Sequence, residues 1–207
     1  MLNTMGLAEV LNKYRNVSYS EVDKGTRFEE LIARYLVTDP TFRPHIENVW
    51  LWKDFPGRKQ LGGHDTGIDI VAKTNYDEYW AVQCKCYAED QKVTKEDVDT
   101  FISASGRQFE DEPGSIRSFD KRILFATTNN WTDNALAATE GQTIPVTRIK
   151  LSHLEDSAVD WDAIEEGVHG KEARKRKYDL RPHQKEALES ALEHYKNNDR
   201  GQMIMAC

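Results

Sequence analysis

The sequence predicts an α/β domain with a mixed central sheet flanked by helices. Three observations support this class: an amphipathic helical pattern comes first, two apolar runs then suggest a hairpin, and strand-like and helix-like segments alternate after it. The predicted order is helix, three strands, helix, strand, helix, strand. That order is typical of a single α/β core.

The first helix is predicted to hold five apolar residues at helical spacing: Phe28, Leu31, Ile32, Tyr35 and Leu36. At about 100° per residue, Glu29 lies at the rim of this apolar face, from which it can point along the sheet. A second interpretation stays open. Thr26 and Glu29 have the spacing of a capping box, in which Glu29 only closes the helix start.

The remaining elements follow from apolar runs and cap residues. A first strand is predicted over 49–52 and a loop over 55–63, and the hairpin comes next. Thr94-Lys95-Glu96-Asp97 is predicted to open a helix. A strand over 123–127, a helix over 133–139 and a strand over 146–151 complete the domain.

Polar side chains interrupt the apolar runs of the hairpin. Ile68 and Ile70 are predicted to share one face of the first strand, and Asp69 lies on the other. The polar connection over 73–78 favours an antiparallel hairpin, which brings Asp69 near Gln83 and Lys85. A buried polar group without a partner costs about 1 to 3 kcal/mol, so this cluster must satisfy itself or bind something.

Two explanations of the cluster are open. Asp69 and Gln83 both offer oxygen, the ligand type that Mg²⁺ prefers, and Lys85 places a cation beside them. Such a set can bind and polarise a phosphodiester. Alternatively, Asp69 and Lys85 form a cross-strand ion pair, and Gln83 lies at a wet sheet edge.

The segments Gly67-Ile68-Asp69 and Gln83-Cys84-Lys85 resemble the Mrr-like branch of the PD-(D/E)xK nucleases. The resemblance implies a restriction-endonuclease-like core that cleaves DNA with Mg²⁺. Ile68 stands where the family name has proline, and Gln83 stands where it has a second acid. A neutral ligand binds metal more weakly, so a further carboxylate would help.

The same resemblance implies the roles of the site residues. Asp69, Gln83, the backbone carbonyl of Cys84 and Glu29 would hold the metal, since a glutamate on the first helix often joins the site in this superfamily. Lys85 would orient or deprotonate the attacking water, or offset charge in the transition state. Asp69, Gln83, Lys85 and Glu29 are therefore the predicted catalytic residues.

The C-terminal segment Tyr178-Asp179-Leu180-Arg181-Pro182-His183-Gln184 resembles the adenine-reading motif of superfamily 2 helicase motors. Pro182 suits the first turn of a helix. We expect a nuclease domain over 1–168, a basic linker over 169–177 and the truncated start of a helicase-like ATPase domain over 178–207. Gln184 would contact the adenine of ATP only in the full-length protein. An ordinary C-terminal helical hairpin is the alternative.

Both ends of the chain together resemble the single-polypeptide Type ISP restriction-modification enzymes. That resemblance implies double-stranded DNA as the substrate and, in cis, a helicase motor, a methyltransferase and a target-recognition domain. ATP and S-adenosylmethionine are expected only for the full-length parent. A second nuclease domain is a candidate partner for double-strand cleavage.

Composition limits the environment and the partners. A net charge of -7 over 207 residues disfavours DNA binding by this chain alone, so another domain is expected to deliver the DNA. The sequence shows no apolar run of membrane-spanning length and no signal-peptide pattern, and its three cysteines suit a reducing compartment. We expect a cytoplasmic protein without membrane contact, in which Cys84 and Cys86 are core side chains.

The predicted function is a Mg²⁺-dependent DNA endonuclease domain. Two rivals stay open. One is a non-catalytic DNA clamp or coupling module of a DNA translocase, in which Gln83 marks lost chemistry. The other is an RNA-directed nuclease, because such a site contacts phosphate rather than bases.

Overall fold

The computed structural model describes residues 6–17, 20–61, 67–175 and 182–198, with backbone alone for 182–185. The chain divides between Lys175 and Arg176 into two units. Among the described helices, none combines the length and hydrophobicity that crossing a bilayer requires.

The first unit carries the sheet and its covering helices. In its described part the helices are α1 (Leu7–Val17), α2 (Glu21–Leu36), α3 (Lys95–Ala104), α4 (Asp133–Ala138), α5 (Leu151–Glu155) and α6 (Trp161–Glu165). The strands are β1 (Ile46–Leu51), β2 (Ile70–Thr74), β3 (Tyr79–Lys85), β4 (Phe109–Glu112), β5 (Ser115–Arg117), β6 (Lys121–Ala126) and β7 (Val146–Ile149). The predicted order is confirmed from α2 to β7. The sequence prediction lacked α1, the β4–β5 hairpin, α5 and α6.

The central sheet has the strand order β1-β2-β3-β6-β7. The first three strands pair antiparallel, whereas β6 and β7 continue from β3 in parallel. Val71 lies opposite Ala81 and Ala72 opposite Trp80, so the predicted hairpin is confirmed. The mixed sheet confirms the predicted fold class.

Each face of the sheet is covered by its own apolar cluster. On one face, Ile70 and Val82 pack with the buried residues of α1, α2, α5 and α6, which form the α2 cluster. On the other face, Val71 and Ala81 pack with Val98 and other residues of α3 and α4, which form the α3 cluster. Sandwiching the central strands in this way fixes their alternation, because a shift by one residue would exchange the two faces.

Ile68 was predicted to share a face with Ile70, and this is wrong. Ile68 packs in the α3 cluster beside Val71, whereas Ile70 packs in the α2 cluster. The regular strand begins only at Ile70, and Gly67 has a left-handed backbone with φ +79°. The period of two therefore does not extend back through residues 67–69.

Helix α2 begins earlier than the sequence suggested. Ser20 is its N-cap, and its side chain accepts a hydrogen bond from the Asp23 amide at 3.1 Å. Thr26 lies inside the helix, where its hydroxyl donates to the Val22 carbonyl. The capping-box interpretation of Thr26 and Glu29 is therefore wrong, and Glu29 is a mid-helix residue. In contrast, the predicted box of Thr94 and Asp97 opens α3 as expected.

The first unit extends through Lys175. Ala173 is buried in the α2 cluster, and the Arg174 side chain donates to the Thr38 carbonyl at 2.7 Å. The second unit is described by α7 (Pro182–His194), which begins at the predicted proline. Leu188 and Leu192, on its predicted apolar face, are exposed.

Arg122 anchors the C-terminal end of α3. Only 4% of this residue is exposed, and its guanidinium donates to the Ser105 hydroxyl at 2.7 Å and to the Ile102 and Ile144 carbonyls at 3.1 and 3.2 Å. Burial lowers the pKa of Arg122. A cation here also opposes the negative end of the helix dipole.

We predict that Arg122→Ala lowers the free energy of unfolding by about 2 to 4 kcal/mol, because it removes three hydrogen bonds, one of them to the fully buried Ser105. Urea unfolding followed by circular dichroism measures the change. The matched control is Arg107→Ala, since Arg107 is exposed and makes one long bond of 3.3 Å to Leu61. Equal losses in the two variants would contradict an anchoring role.

Candidate functional site

The predicted site residues of the hairpin lie at one edge of the sheet. Asp69 directly precedes β2, and Gln83 and Lys85 lie at the C-terminal end of β3. The antiparallel pairing places these two strand ends together. The carboxyl ends of β6 and β7 lie at the same edge, because both strands run parallel to β3.

Asp69 is held by both neighbouring segments. Its amide donates to the Val82 carbonyl at 2.9 Å, and its carbonyl accepts from the Trp52 amide at 2.7 Å. Its carboxylate Oδ2 accepts from the Cys84 amide at 2.6 Å. The side chain therefore reaches the backbone between Gln83 and Lys85, as the hairpin predicted.

Gln83 is buried rather than wet. Only 2% of the residue is exposed, and among the described residues its Oε1 atom has no hydrogen-bond partner. Leaving such an oxygen unsatisfied costs about 1 to 3 kcal/mol. The wet-edge explanation of Gln83 is therefore wrong, and the buried oxygen suits a ligand.

Gly67 makes room for this amide. A Cβ atom at Gly67 would lie 3.2 Å from Gln83 Nε2 and 3.3 Å from Thr100 Cγ2. The same residue has a positive φ of +79°, which favours glycine. Gly67 therefore lets α3 and Gln83 approach the chain that leads into Asp69.

The backbone and the side chain of Cys84 face different surroundings. The Lys85 carbonyl accepts from Thr127 on the β6 side, so the alternating Cys84 carbonyl points to the β2 side, where Asp69 lies. The thiol packs against the α2 cluster, as predicted for Cys84 and Cys86. Burial, followed by the charges of Asp69 and Glu29, raises the pKa of the Cys84 thiol well above its usual value.

The effect on Cys84 also locates Glu29. Because its charge contributes to the raised pKa of this thiol, after burial and Asp69, the Glu29 carboxylate on α2 lies near enough to act electrostatically on the end of β3. The described residues contain no group of three His, Cys, Asp or Glu side chains placed to hold a metal. An ion here would therefore need the amide oxygen of Gln83 and the carbonyl of Cys84 beside the two carboxylates.

Lys85 has a partner that the sequence analysis did not assign to the site. Its Nζ lies 3.1 Å from Asp97 Oδ1 on α3, and the Tyr87 hydroxyl donates to the same oxygen at 2.7 Å. Asp97 was predicted only as a cap residue. The alternation of Gln83, Lys85 and Tyr87 places three polar groups on the α3 face, but it does not identify Asp97 as their partner.

The network keeps Asp97 ionised. Burial by itself would raise the pKa of Asp97, but hydrogen bonds from the Thr94 amide, Tyr87 and Lys85 outweigh it and hold the pKa below its usual value. Burial and the Asp97 carboxylate raise the pKa of Tyr87. An ammonium beside a fixed anion supplies positive charge and donates hydrogen bonds.

The side chain of Gln184, which is predicted to contact ATP, lies outside the described residues. Residues 62–66, which lead into Gly67, are not described either.

The sheet and this strand-end cluster define a restriction-endonuclease-like α/β domain. A family model described as restriction endonuclease, Mrr_cat_2, matches residues 37–171, which is well over half of the chain. The chain belongs to this family and is a nuclease domain of a restriction enzyme. The match includes Asp69, Gln83, Lys85 and Asp97, whereas Glu29 precedes it.

The chain is similar to part of a solved structure of the ATP-dependent Type ISP restriction-modification enzyme LlaBIII bound to DNA. The identity is 28% and the TM-score 0.64, over 95% of this chain and 12% of LlaBIII. The MspJI restriction endonuclease in complex with a 27-mer oligonucleotide aligns over 72% of this chain and 30% of that one, with 14% identity and a TM-score of 0.41. No curated protein matches the sequence.

We predict that Gly67→Ala destabilises the domain by about 2 to 4 kcal/mol, because a Cβ adds left-handed strain to the contacts with Gln83 and Thr100. The control is Gly114→Ala, where φ is +83° but nothing lies within 4 Å of the added atom. That variant carries the strain alone, about 1 to 2 kcal/mol. Chemical denaturation of both measures the difference, and equal losses would show that the space beside Gln83 does not matter.

We also predict that Asp97 makes stability depend on pH. Because its folded pKa is lowered, its stabilisation is present above about pH 4 and is lost as the pH falls through the folded pKa. Asp97→Asn should cost about 1 kcal/mol at pH 7 and less near pH 3. Urea midpoints across this range test it, with Asp99→Asn on the same helix as control. A cost that does not change with pH would contradict the prediction.

Proposed function

We propose that this chain cleaves DNA phosphodiester bonds with Mg²⁺ as the nuclease domain of an ATP-driven restriction-modification enzyme. The observation that carries the proposal is the buried Gln83 oxygen, which has no partner among the described residues, at the strand end where the Asp69 carboxylate lies. A buried oxygen without a hydrogen bond lowers the stability of the folded domain, and binding of a ligand to it would explain why the domain keeps it.

The donor set fits a hard divalent ion. Asp69, Gln83, the Cys84 carbonyl and Glu29 supply oxygen only, which is what Mg²⁺ prefers. When bound, the ion supplies a water of lowered pKa and stabilises negative charge on phosphate oxygens. The Cys84 thiol stays protonated because its pKa is raised, so it does not compete as an anionic ligand.

The protein's own groups orient the reaction. The Cys84 amide fixes one oxygen of Asp69 at 2.6 Å and thereby orients this carboxylate at the strand end. Lys85 has three N–H donors, and Asp97 engages the ammonium from the α3 side. We infer that Lys85 donates to the scissile phosphate and offsets the charge that develops there.

DNA delivery is proposed to come from the rest of a longer polypeptide. The similarity covers only 12% of LlaBIII, an ATP-dependent enzyme whose structure was solved bound to DNA. With a net charge of -7, this chain needs help to hold double-stranded DNA. We propose a nuclease domain, a basic linker and the start of a helicase motor over 178–207, in which Gln184 contacts ATP. Because Ala173 and Arg174 pack with the first unit, this linker would begin after them rather than at residue 169.

The same proposal extends to the other parts of the parent. A methyltransferase and a target-recognition domain would follow the motor and use S-adenosylmethionine. A second nuclease domain would provide the other cut of a double-strand break. The working compartment would be the cytoplasm, where the genome and invading DNA meet the enzyme.

We predict that Asp69→Asn and Lys85→Met each lower plasmid cleavage by the parent enzyme by on the order of 10²-fold or more, since each removes a charge that acts on the phosphate. Supercoiled plasmid is incubated with Mg²⁺ and ATP, and nicked and linear products are measured. The matched controls are Asp99→Asn and Lys95→Met, an exposed ion pair on α3.

Retained cleavage in both site variants would refute the assigned site. Wild-type enzyme that binds the plasmid and hydrolyses ATP but never cuts would favour the DNA clamp. Cleavage of single-stranded RNA in preference to duplex DNA would favour the RNA-directed nuclease.

A further inference from the structure

The Asp97 carboxylate collects donors from two directions. Its Oδ2 accepts from the amide and the hydroxyl of Thr94, both at 2.9 Å. Its Oδ1 accepts from the Tyr87 hydroxyl at 2.7 Å and lies 3.1 Å from Lys85 Nζ. The two oxygens therefore serve different elements, one the start of α3 and the other the end of β3.

The anion is fixed without Lys85. Three of its four contacts come from Thr94 and Tyr87, so they persist when the lysine moves. The side chain is only 15% exposed, which weakens solvent screening of its charge. Asp97 is thus a partly buried carboxylate with several bonds of its own, beside the longer side chain of Lys85.

A capping function alone does not account for this geometry. The capping box requires the contacts between Thr94 and Asp97 Oδ2. The Oδ1 atom adds nothing to the cap, yet it takes Lys85 and a tyrosine hydroxyl from outside the helix. Tyr87 follows Lys85 by two residues on the same face, so the strand end supplies both of these donors.

We propose that Asp97 is a positioning residue that holds the Lys85 ammonium at the α3 side of the strand end, and that Tyr87 and Thr94 fix Asp97 for this purpose. The ion pair restricts a side chain that otherwise samples many rotamers. Its benefit for cleavage rests on the function proposed above, whereas the restraint of Lys85 stands independently of that function.

Competitive labelling of amines tests the restraint directly. The full 207-residue chain is treated with a limiting amount of acetic anhydride, and acetylation of each lysine is measured by peptide mass spectrometry. We expect Asp97→Asn to raise Lys85 acetylation about fivefold, which corresponds to about 1 kcal/mol of lost ion pairing. Lys73, paired with Asp77 on another part of the sheet, should keep its wild-type rate.

Two controls separate the restraint from damage to the helix. Asp99→Asn makes the same chemical change on α3, where Asp99 pairs with Lys95, and it should leave Lys85 unchanged. Thr94→Ala removes one hydroxyl bond to Asp97 but keeps its charge and its bonds to the residue 94 amide and Tyr87, so it should raise Lys85 acetylation far less than Asp97→Asn does. If Thr94→Ala raises Lys85 acetylation as much as Asp97→Asn does, or if Asp97→Asn leaves it at the wild-type rate, the positioning role is overturned.

Cleavage by the parent enzyme then separates this inference from the proposed function. Increased acetylation together with a lower kcat and little change in KM for plasmid supports a lysine positioned for the reaction. Increased acetylation in an enzyme that never cuts leaves Asp97 as the restraint of Lys85 and refutes only the nuclease function. Increased acetylation with unchanged kcat overturns the part of the proposal that links the restraint to cleavage.

Discussion

The backbone around Asp69 joins three segments of the sheet, and the rest of the site depends on that junction. Its amide binds Val82, its carbonyl binds Trp52, and its carboxylate binds the Cys84 amide. A shift of the hairpin by one residue would exchange the two faces of β3 and turn Gln83 and Lys85 away from α3. The buried cores on both faces oppose such a shift, so packing fixes the positions of the polar groups.

Much of this junction follows from the sequence because it depends on local periodicity. The polar connection and the two apolar runs suffice to pair Asp69 with the end of β3. The same reasoning assigns Ile68 to the wrong face, because the left-handed backbone of Gly67 breaks the alternation before β2 begins. For Glu29, two caps compete, and the pair Ser20 and Asp23 starts the helix first. Once the helix extends through Thr26, the local explanation of Glu29 disappears.

The Lys85 partner could not be predicted in the same way. Thr94 and Asp97 already explain each other as a cap, so nothing in their spacing calls for a further contact. The contact arises because α3 packs over the face that carries Gln83, Lys85 and Tyr87. Placement of a helix over a sheet depends on distant side chains such as Phe101 and on Arg122, which binds the far end of α3. The placement of α3 over the sheet therefore cannot be inferred from local sequence patterns.

The amide at position 83 is best understood from the charges around it. Asp69, Glu29 and Asp97 already place three carboxylates about the end of β3 in a chain of net charge -7. An ionised acid at a position that is 2% exposed would add repulsion and a desolvation cost of several kcal/mol. An amide oxygen with no partner among the described residues costs about 1 to 3 kcal/mol instead. Gln83 therefore lets the domain fold without a cation to offset a further buried carboxylate.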